Sequence, residues 1–257
     1  KYILLLLLPV SAFGYFVWPN RFFQEEFETA SVDAFPTTNI TGSATVTIAS
    51  NTVHSGLYSL KITTTDNSAG SAYYATYNHG TNYATAYGSI RLFIESLGTN
   101  LTDGRFIKIM QLVNAAGSGV DDVYLKRSGS NLILFTDKLG NGTATLSTGQ
   151  WYHVEQFVET NGTSTTYVNG IQDDTASGLT ILPVRQLSVG VRYNPYNVGC
   201  VLYFDDFVYA LNRTYEAAPY IRTYAPSFDA RIGNSVLAIS AGRSDGDIIK
   251  AWLSGPD

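Results

Sequence analysis

Tyrosine and asparagine side chains cluster in two segments of this sequence, where their rings and amides could contact a ligand together. Tyr74, Tyr77 and Asn78 stand together in one segment, and Tyr193 and Tyr196 lie in a second aromatic and polar segment. Aromatic rings offer an apolar face to a sugar, while amides hydrogen-bond to its hydroxyl groups. The pattern predicts a weak carbohydrate site, although tyrosine is also typical of a strand face or a subunit interface.

Residues that would cleave a sugar chain are harder to find. Glycoside hydrolysis needs two carboxyl groups roughly 5 to 9.5 Å apart. Glu155 and Glu159 share one face of a predicted strand, but the strand rise separates them by about 13 Å. His54 and His153 stand in segments that suit structural roles. The sequence therefore predicts a protein that is not an enzyme, with glycosidase or polysaccharide lyase as the catalytic alternatives.

Charged residues are scarce and scattered. Lys, Arg, Asp and Glu make up 14% of the 257 residues, and the net charge is -5. Lys and Arg form no cluster that could follow a phosphate backbone, so the composition excludes nucleic acid as a partner. Thr, Ser, Asn, Gly and Tyr supply the polar surface instead, which is typical of extracellular β-proteins. We therefore expect a location outside the cell or at its surface.

Strand-like runs position these residues. From about residue 22 to 212, segments such as 44–49, 57–64 and 201–210 alternate apolar with polar residues, and turn sequences separate them. Asn169 and Gly170 stand between two such runs and favour a two-residue hairpin turn. About ten or more strands without a helical period predict an all-β fold, an antiparallel β-sandwich of the jelly-roll type.

Several short segments resemble a known superfamily. They are Phe27-Glu28-Thr29, the run from His54 to Ile62, the run from Gly149 to Val154 and the run from Leu202 to Val208. Together they resemble the concanavalin A-like jelly rolls, which include laminin-G-like and carbohydrate-binding modules. The resemblance spans roughly residues 22 to 212. It implies the fold more than the function, because this fold hosts lectins, glycosidases, lyases and structural modules.

The resemblance also implies a structural calcium ion. In such modules an acidic residue of the first strand and another of the last strand bind the ion, with backbone carbonyls near the His-Ser-Gly segment. The matching residues are Glu28 and either Asp205 or Asp206. Carboxylate and carbonyl oxygens are the ligands that Ca²⁺ prefers. The alternative is that the two aspartates protect a sheet edge from aggregation.

The two ends of the chain differ from this central domain, residues 22–215. Residues 1–21 contain an apolar run, 2–18, that predicts a cleaved secretory signal, a membrane anchor or an arm buried in an assembly. Residues 216–257 form a tail with strand-like runs at 235–239 and 248–253. This tail is too short for its own core, so we expect it to dock on its own domain or on a neighbouring copy by strand addition.

These observations predict a structural subunit of an extracellular filament or cell-surface assembly, in which copies of the chain polymerise through their terminal segments. The alternative is a secreted or membrane-tethered, lectin-like carbohydrate-binding module with glycans as partners. Glycosylation of the protein itself is a further expectation. Five Asn-X-Thr sequons occur, at Asn39, Asn100, Asn141, Asn161 and Asn212.

Overall fold

The computed structural model describes residues 21–25, 27–28, 30–32, 35, 37–66, 72–213, 239–242 and 248–251. Every regular element in these ranges is a strand, since β-branched and aromatic residues alternate with polar ones between short turns. The strands are β1 (Arg21–Glu25), β2 (Thr37–Thr41), β3 (Thr45–Ala49), β4 (Ser59–Thr64), β5 (Ala72–Tyr83), β6 (Thr85–Leu97), β7 (Phe106–Val113), β8 (Gly119–Ser128), β9 (Asn131–Thr136), β10 (Gly140–Leu146), β11 (Trp151–Glu159), β12 (Thr163–Val168), β13 (Ile171–Ala176), β14 (Val184–Tyr193), β15 (Cys200–Ala210), β16 (Ile239–Gly242) and β17 (Ile248–Ala251).

Two antiparallel sheets make the body of the protein. The eight-stranded sheet has the order β13-β12-β11-β6-β15-β4-β3, and β1 pairs with the second half of β15. The seven-stranded sheet has the order β10-β9-β8-β7-β14-β5-β2. Strands that are distant in sequence, such as β6 and β15, lie side by side, as in a jelly roll. The predicted all-β sandwich is confirmed.

The apolar core lies between the two sheets. Because side chains alternate along a strand, each strand gives every second residue to the core. In β14, Leu187 and Val189 are buried in the core cluster, while Ser188 between them belongs to the opposite face of the sheet. That opposite face, turned away from the core, is called the outer face below. Core burial removes apolar surface from water and so stabilises the sandwich.

The hairpin between β12 and β13 forms as the sequence predicts. Val168 pairs with Ile171, which leaves Asn169 and Gly170 as a two-residue turn. Both turn residues have positive φ angles, 52° and 79°, which Asn and Gly adopt more readily than other residues.

The predictions for the chain ends lie largely outside the described residues. That is so for residues 1–20, with the apolar run 2–18, and for most of the tail. Within the tail, β16 and β17 pair antiparallel with each other in a two-stranded sheet. Among the described residues, no helix has the length and apolarity needed to cross a membrane. Polymerisation through the terminal segments, and membrane contact by residues 2–18, stay predictions.

Candidate functional site

The outer face of the seven-stranded sheet carries a set of polar and aromatic side chains that neighbouring strands bring together. Backbone pairing aligns them in two rows that cross the middle of the sheet. The polar row consists of Thr76, Ser188, Gln111 and Asp122, from β5, β14, β7 and β8. The aromatic row consists of Tyr193, Lys108, Tyr124 and Phe135, from β14, β7, β8 and β9.

The polar row is linked by hydrogen bonds in two pairs. The hydroxyl oxygens of Thr76 and Ser188 lie 2.7 Å apart. Gln111 Nε2 donates to Asp122 Oδ2 at 3.0 Å, and the Lys108 ammonium also donates to that oxygen. All of these side chains are nearly inaccessible to solvent. A buried lysine and aspartate in direct contact form a rigid, locally neutral pair under the face.

This pair also holds the rings of the aromatic row in place. The Lys108 ammonium lies 5.3 Å from the centroid of the Tyr124 ring and 5.7 Å from that of Tyr193. Tyr124 OH donates to Asp122 at 3.3 Å and to Asp137 at 3.0 Å. Burial, together with these two carboxylates, raises the pKa of Tyr124 far above its usual value. The phenol therefore stays protonated.

Tyr74 and Arg192 extend the face toward its β2 side. The Arg192 guanidinium stacks 4.3 Å above the Tyr74 ring, and its Nη1 donates to Ser188 Oγ at 3.4 Å. A register shift in the pairing of β14 with β7 lets both Arg192 and the adjacent Tyr193 reach the outer face. Tyr193 is 50% exposed, so its ring is open to a ligand.

A glycine makes this arrangement possible. Gly190 pairs with Tyr74 and has a φ of +113°. A Cβ at this position would lie 2.5 Å from the carbonyl oxygen of Tyr73, closer than real Cβ atoms approach any atom. Only glycine lets β14 run so close to β5 here.

Four of the five predicted sugar-binding residues lie on this face or pack beside it. Tyr74 and Asn78 lie on it, and Asn78 Oδ1 accepts a hydrogen bond from Arg185 at 3.3 Å. Tyr193 belongs to the aromatic row. Tyr196 packs edge-on against Phe106, whose ring stacks on Phe135 of the same row.

Tyr77 is placed elsewhere. Because it is one residue away from Asn78 along β5, it points to the core side of the sheet. Its ring stacks on Phe23 with a centroid distance of 4.3 Å and packs against the core. The structure therefore does not bring Tyr77 together with the other four residues.

Sequence reasoning missed Lys108, Gln111, Asp122 and Arg192. The available signal in the strand-like apolar runs was a single polar residue, as at Lys108, Gln111 and Arg192, or the adjacent pair Asp121 and Asp122. An ionisable residue inside such a run must find a buried partner, and buried partners concentrate at functional sites. The partners lie on other strands, so the register between β7, β8 and β14 was needed to see the cluster.

The residues implied as calcium ligands lie at the eight-stranded sheet. Asp205 is fully buried, and its Oδ2 accepts hydrogen bonds from the backbone N–H groups of His54 at 3.0 Å and Ser55 at 3.2 Å. Asp206 accepts bonds from His54 Nδ1 at 2.7 Å and from Ser55 Oγ at 2.6 Å. Simple alternation predicts that one of the two aspartates faces solvent. A bulge in β15, with a φ of 44° at Asp206, instead turns both toward the His54 segment.

The third implied ligand reaches the same segment. The backbone N–H of Leu57 donates to both carboxylate oxygens of Glu28, at 2.9 and 3.0 Å. Burial, and then the charge of Asp206, raise the pKa of Asp205 to about 8. Hard oxygen donors around a desolvated carboxylate suit Ca²⁺ in their chemistry. Within the described ranges, however, no three His, Cys, Asp or Glu side chains converge as metal ligands do. Calcium binding stays a prediction.

The carboxylates considered for glycoside hydrolysis are engaged in other contacts. Glu155 is 2% exposed and binds the Arg213 guanidinium and the Tyr87 hydroxyl. Glu159 accepts a hydrogen bond from Asn161 Nδ2 at 3.2 Å. Both lie on the outer face of the eight-stranded sheet, on the side of the sandwich opposite to the two rows.

Four of the five sequon asparagines are exposed, and glycosylation remains a prediction for all of them. The fifth, Asn100, is half-buried, and its Nδ2 donates to the backbone carbonyl of Asn197 at 3.0 Å. The exposed ones are Asn39, Asn141, Asn161 and Asn212.

Known proteins resemble this chain in shape and not in sequence. No protein-family model and no curated protein matches it. The endo-β-1,4-glucuronan lyase of the fungus Trichoderma reesei superposes with a TM-score of 0.57 at 15% identity, over 75% of this chain and 96% of that one. The cellulose-induced protein Cip1 superposes with a TM-score of 0.57 at 16% identity, over 75% and 98% of the two chains. The binding domain of Paraclostridial mosquitocidal protein 1 gives a TM-score of 0.54 at 14% identity, over 77% of this chain and 50% of that one.

The lyase and Cip1 are concanavalin A-like jelly-roll sandwiches, and the chain described here has the same fold. The fold predicted from the short sequence motifs is thereby confirmed. At these low identities the likeness shows the fold alone, and the function has to be argued from the site.

Proposed function

We propose that this protein is a secreted or cell-surface carbohydrate-binding domain that holds a sugar chain on the outer face of its seven-stranded sheet. The observation that carries the proposal is the half-exposed ring of Tyr193 beside Arg192 and Tyr74 on a close-packed polar face. A sugar ring can lie against the tyrosines, while its hydroxyl groups bond to nearby side chains.

The rigidity of the face supports this proposal. The hydrogen bonds of Lys108, Asp122 and Tyr124 fix the rings before a ligand arrives. A preformed site loses less conformational entropy when it binds, so even a shallow face can retain a polymer. The fold also fits this role, since the lyase that shares it acts on a polysaccharide, glucuronan.

The protonated state of Tyr124 favours binding over catalysis. A polysaccharide lyase needs a base, and Tyr124 is the tyrosine at the centre of the face. Its pKa is raised by burial and by Asp122 and Asp137, so it cannot accept a proton near neutral pH. The His54 ring is hydrogen-bonded to Asp206, and the His153 ring lies against Glu155. Both rings lie at the eight-stranded sheet, whereas the two rows lie on the seven-stranded sheet. We therefore propose a binding role without cleavage.

Affinity electrophoresis of the full chain tests the proposal. Native gels would contain hydroxyethyl cellulose, dextran or polygalacturonate, and a polymer-free gel serves as the reference. We expect at least one polymer to retard the protein, with no shortened sugar products in the gel buffer. Equal mobility in all gels would overturn the binding role, and release of unsaturated or reducing ends would overturn the absence of catalysis.

A further inference from the structure

Arg192 carries a positive charge that no carboxylate of the described residues neutralises. Its contacts are the Tyr74 ring, 4.3 Å away, and the Ser188 hydroxyl, which takes a hydrogen bond from Nη1 at 3.4 Å. A guanidinium has five N–H donors, so this arrangement leaves most of them for a ligand. Stacking on the Tyr74 ring fixes the plane of the guanidinium and so orients those donors.

Lys108, the nearest cation in the aromatic row, is different. Its ammonium donates directly to Asp122, and both side chains are buried. The charge of Lys108 is therefore already compensated inside the protein. The contrast assigns ligand recognition to Arg192 and support of the face to Lys108.

Lys126 is a second cation of this face without a carboxylate partner among the described residues. Its ammonium lies 4.3 Å from the Phe135 ring centroid and donates to Asn141 Oδ1 at 2.9 Å. Phe135 belongs to the aromatic row, so cations stand toward both ends of the two rows. The whole chain has a net charge of -5, whereas on this face Arg192 and Lys126 have no carboxylate partner among the described residues. One further carboxylate of the face, that of Asp137, accepts a hydrogen bond from Tyr124 OH.

We infer that the outer face selects a saccharide whose units carry a negative charge, with the anionic group bound by Arg192. This inference rests on the proposed sugar-binding function and adds its ligand class. A carboxylate or a sulfate ester would accept two N–H bonds from the guanidinium, while the sugar ring lies against Tyr193. Lys126 would contact a further charged unit of the same polymer.

Two pairs of polymers test the inference, because the members of each pair share a sugar backbone and differ in whether its units carry a negative charge. The first pair is polygalacturonate and its fully methyl-esterified form, and the second is dextran sulfate and dextran. We expect the full chain to bind a charged member more tightly than its neutral counterpart, and the difference to shrink as salt is added. Preference for polygalacturonate identifies a carboxylate as the anion, and preference for dextran sulfate identifies a sulfate ester.

The variant Arg192→Gln tests whether the anionic group of the polymer binds at this position of the face. We expect about a tenfold weaker affinity for the preferred charged polymer, the effect of losing one charge-assisted contact. Lys61→Gln is the matched control, since Lys61 also lies over a tyrosine ring, that of Tyr203, but on the eight-stranded sheet. This control should leave the affinity unchanged.

The outcomes separate this inference from the proposed function. Equal binding of charged and neutral polymers, or a normal affinity of Arg192→Gln for the charged one, would overturn the inference. If binding of a neutral polymer then still depends on Tyr193, the sugar-binding function stands without it. If no polymer binds at all, both are wrong.

Discussion

Arg213 and Glu155 form a two-pronged ion pair on the outer face of the eight-stranded sheet. Arg213 Nε donates to Glu155 Oε2 at 2.7 Å, and Nη2 donates to Oε1 at 3.0 Å. The guanidinium also stacks 3.5 Å from the centroid of the Tyr167 ring. Burial alone would raise the pKa of Glu155, but the hydrogen bonds of Arg213 and the charge of His153 lower it overall. The pair thus attaches Arg213, three residues after the end of β15, to β11 of the same sheet.

Removing one partner of this pair should destabilise the protein. In Arg213→Met the carboxylate of Glu155, 2% exposed, loses its main partner, and we expect a loss of about 3 kcal/mol in the free energy of unfolding. The measurement is urea unfolding of the full chain at pH 7.

The matched control is the double variant Arg213→Met with Glu155→Leu, which removes both members of the ion pair. It should recover most of the lost stability. If the double variant were as unstable as Arg213→Met alone, the loss would come from packing on Tyr167 and the ion pair would contribute little.

The raised pKa of Asp205 predicts how the stability of the protein depends on pH and on calcium. Burial and the charge of Asp206 raise its pKa to about 8, above the value of about 4 in an unfolded chain. The folded state therefore holds a proton that the unfolded state has lost, and in EDTA stability should fall as pH rises from about 4 to 8. Bound Ca²⁺ would favour the ionised carboxylate and so raise the melting temperature most at the upper end of that range.

Thermal melts at pH 5 and pH 8, each with EDTA or with Ca²⁺, measure this effect. Asp205→Asn is the control, because it cannot ionise yet keeps an oxygen for the His54 and Ser55 N–H groups. It should show a flatter pH dependence and a smaller calcium effect. A wild-type melting temperature unmoved by Ca²⁺ at pH 8 would contradict the calcium prediction.

The close approach of β14 to β5 at Gly190 predicts that a larger residue there will destabilise the protein. Gly190→Ala places a methyl group 2.5 Å from the Tyr73 carbonyl oxygen at a φ of +113°, so one strand must move. We expect a loss of about 2 kcal/mol or more in stability, and weaker sugar binding because Tyr74 and Arg192 move with the strands.

Gly178→Ala separates the two causes of that loss. Gly178 has a φ of +73°, and no atom lies within 4 Å of the position that an added methyl group would take, so this variant carries backbone strain alone. About 1 kcal/mol is expected for it, with normal binding. Equal losses in the two variants would mean that the close approach at Gly190 adds nothing.

Local patterns in the sequence were enough to predict the sandwich. Alternating residues predicted half-buried strands, and Asn169 with Gly170 predicted the turn that forms. The resemblance to the concanavalin A-like jelly rolls implied that the segments of His54 and Asp205, distant in sequence, lie together, and His54 N–H does donate to Asp205. The strands and the turn depend on local sequence, and the meeting of the two segments follows from the fold that the motifs indicate.

The candidate site depends on register, which local sequence does not determine. Tyr74 and Tyr77 stand three residues apart, so a strand turns them to opposite faces, and the sequence cluster separates into ligand face and core. Lys108 and Asp122 meet because Lys108 pairs with Tyr124 and Gln111 with Asp122 across β7 and β8. The bulge that turns Asp206 toward His54 is likewise a feature of strand pairing.

The affinity of Tyr193→Ala for a sugar polymer measures whether the outer face of the seven-stranded sheet binds the sugar. Isothermal titration calorimetry would compare the wild type, Tyr193→Ala and Trp151→Ala, using whichever of hydroxyethyl cellulose, dextran or polygalacturonate retards the wild type most in native gels. Trp151 is the control, because it lies on the outer face of the eight-stranded sheet and packs against Phe93.

We expect Tyr193→Ala to weaken binding about tenfold, close to 1.4 kcal/mol, because the half-exposed ring is lost from the face. Trp151→Ala should bind as the wild type does. Normal binding by Tyr193→Ala would contradict a sugar site on this face, and loss of binding by Trp151→Ala would place the sugar on the opposite side of the sandwich.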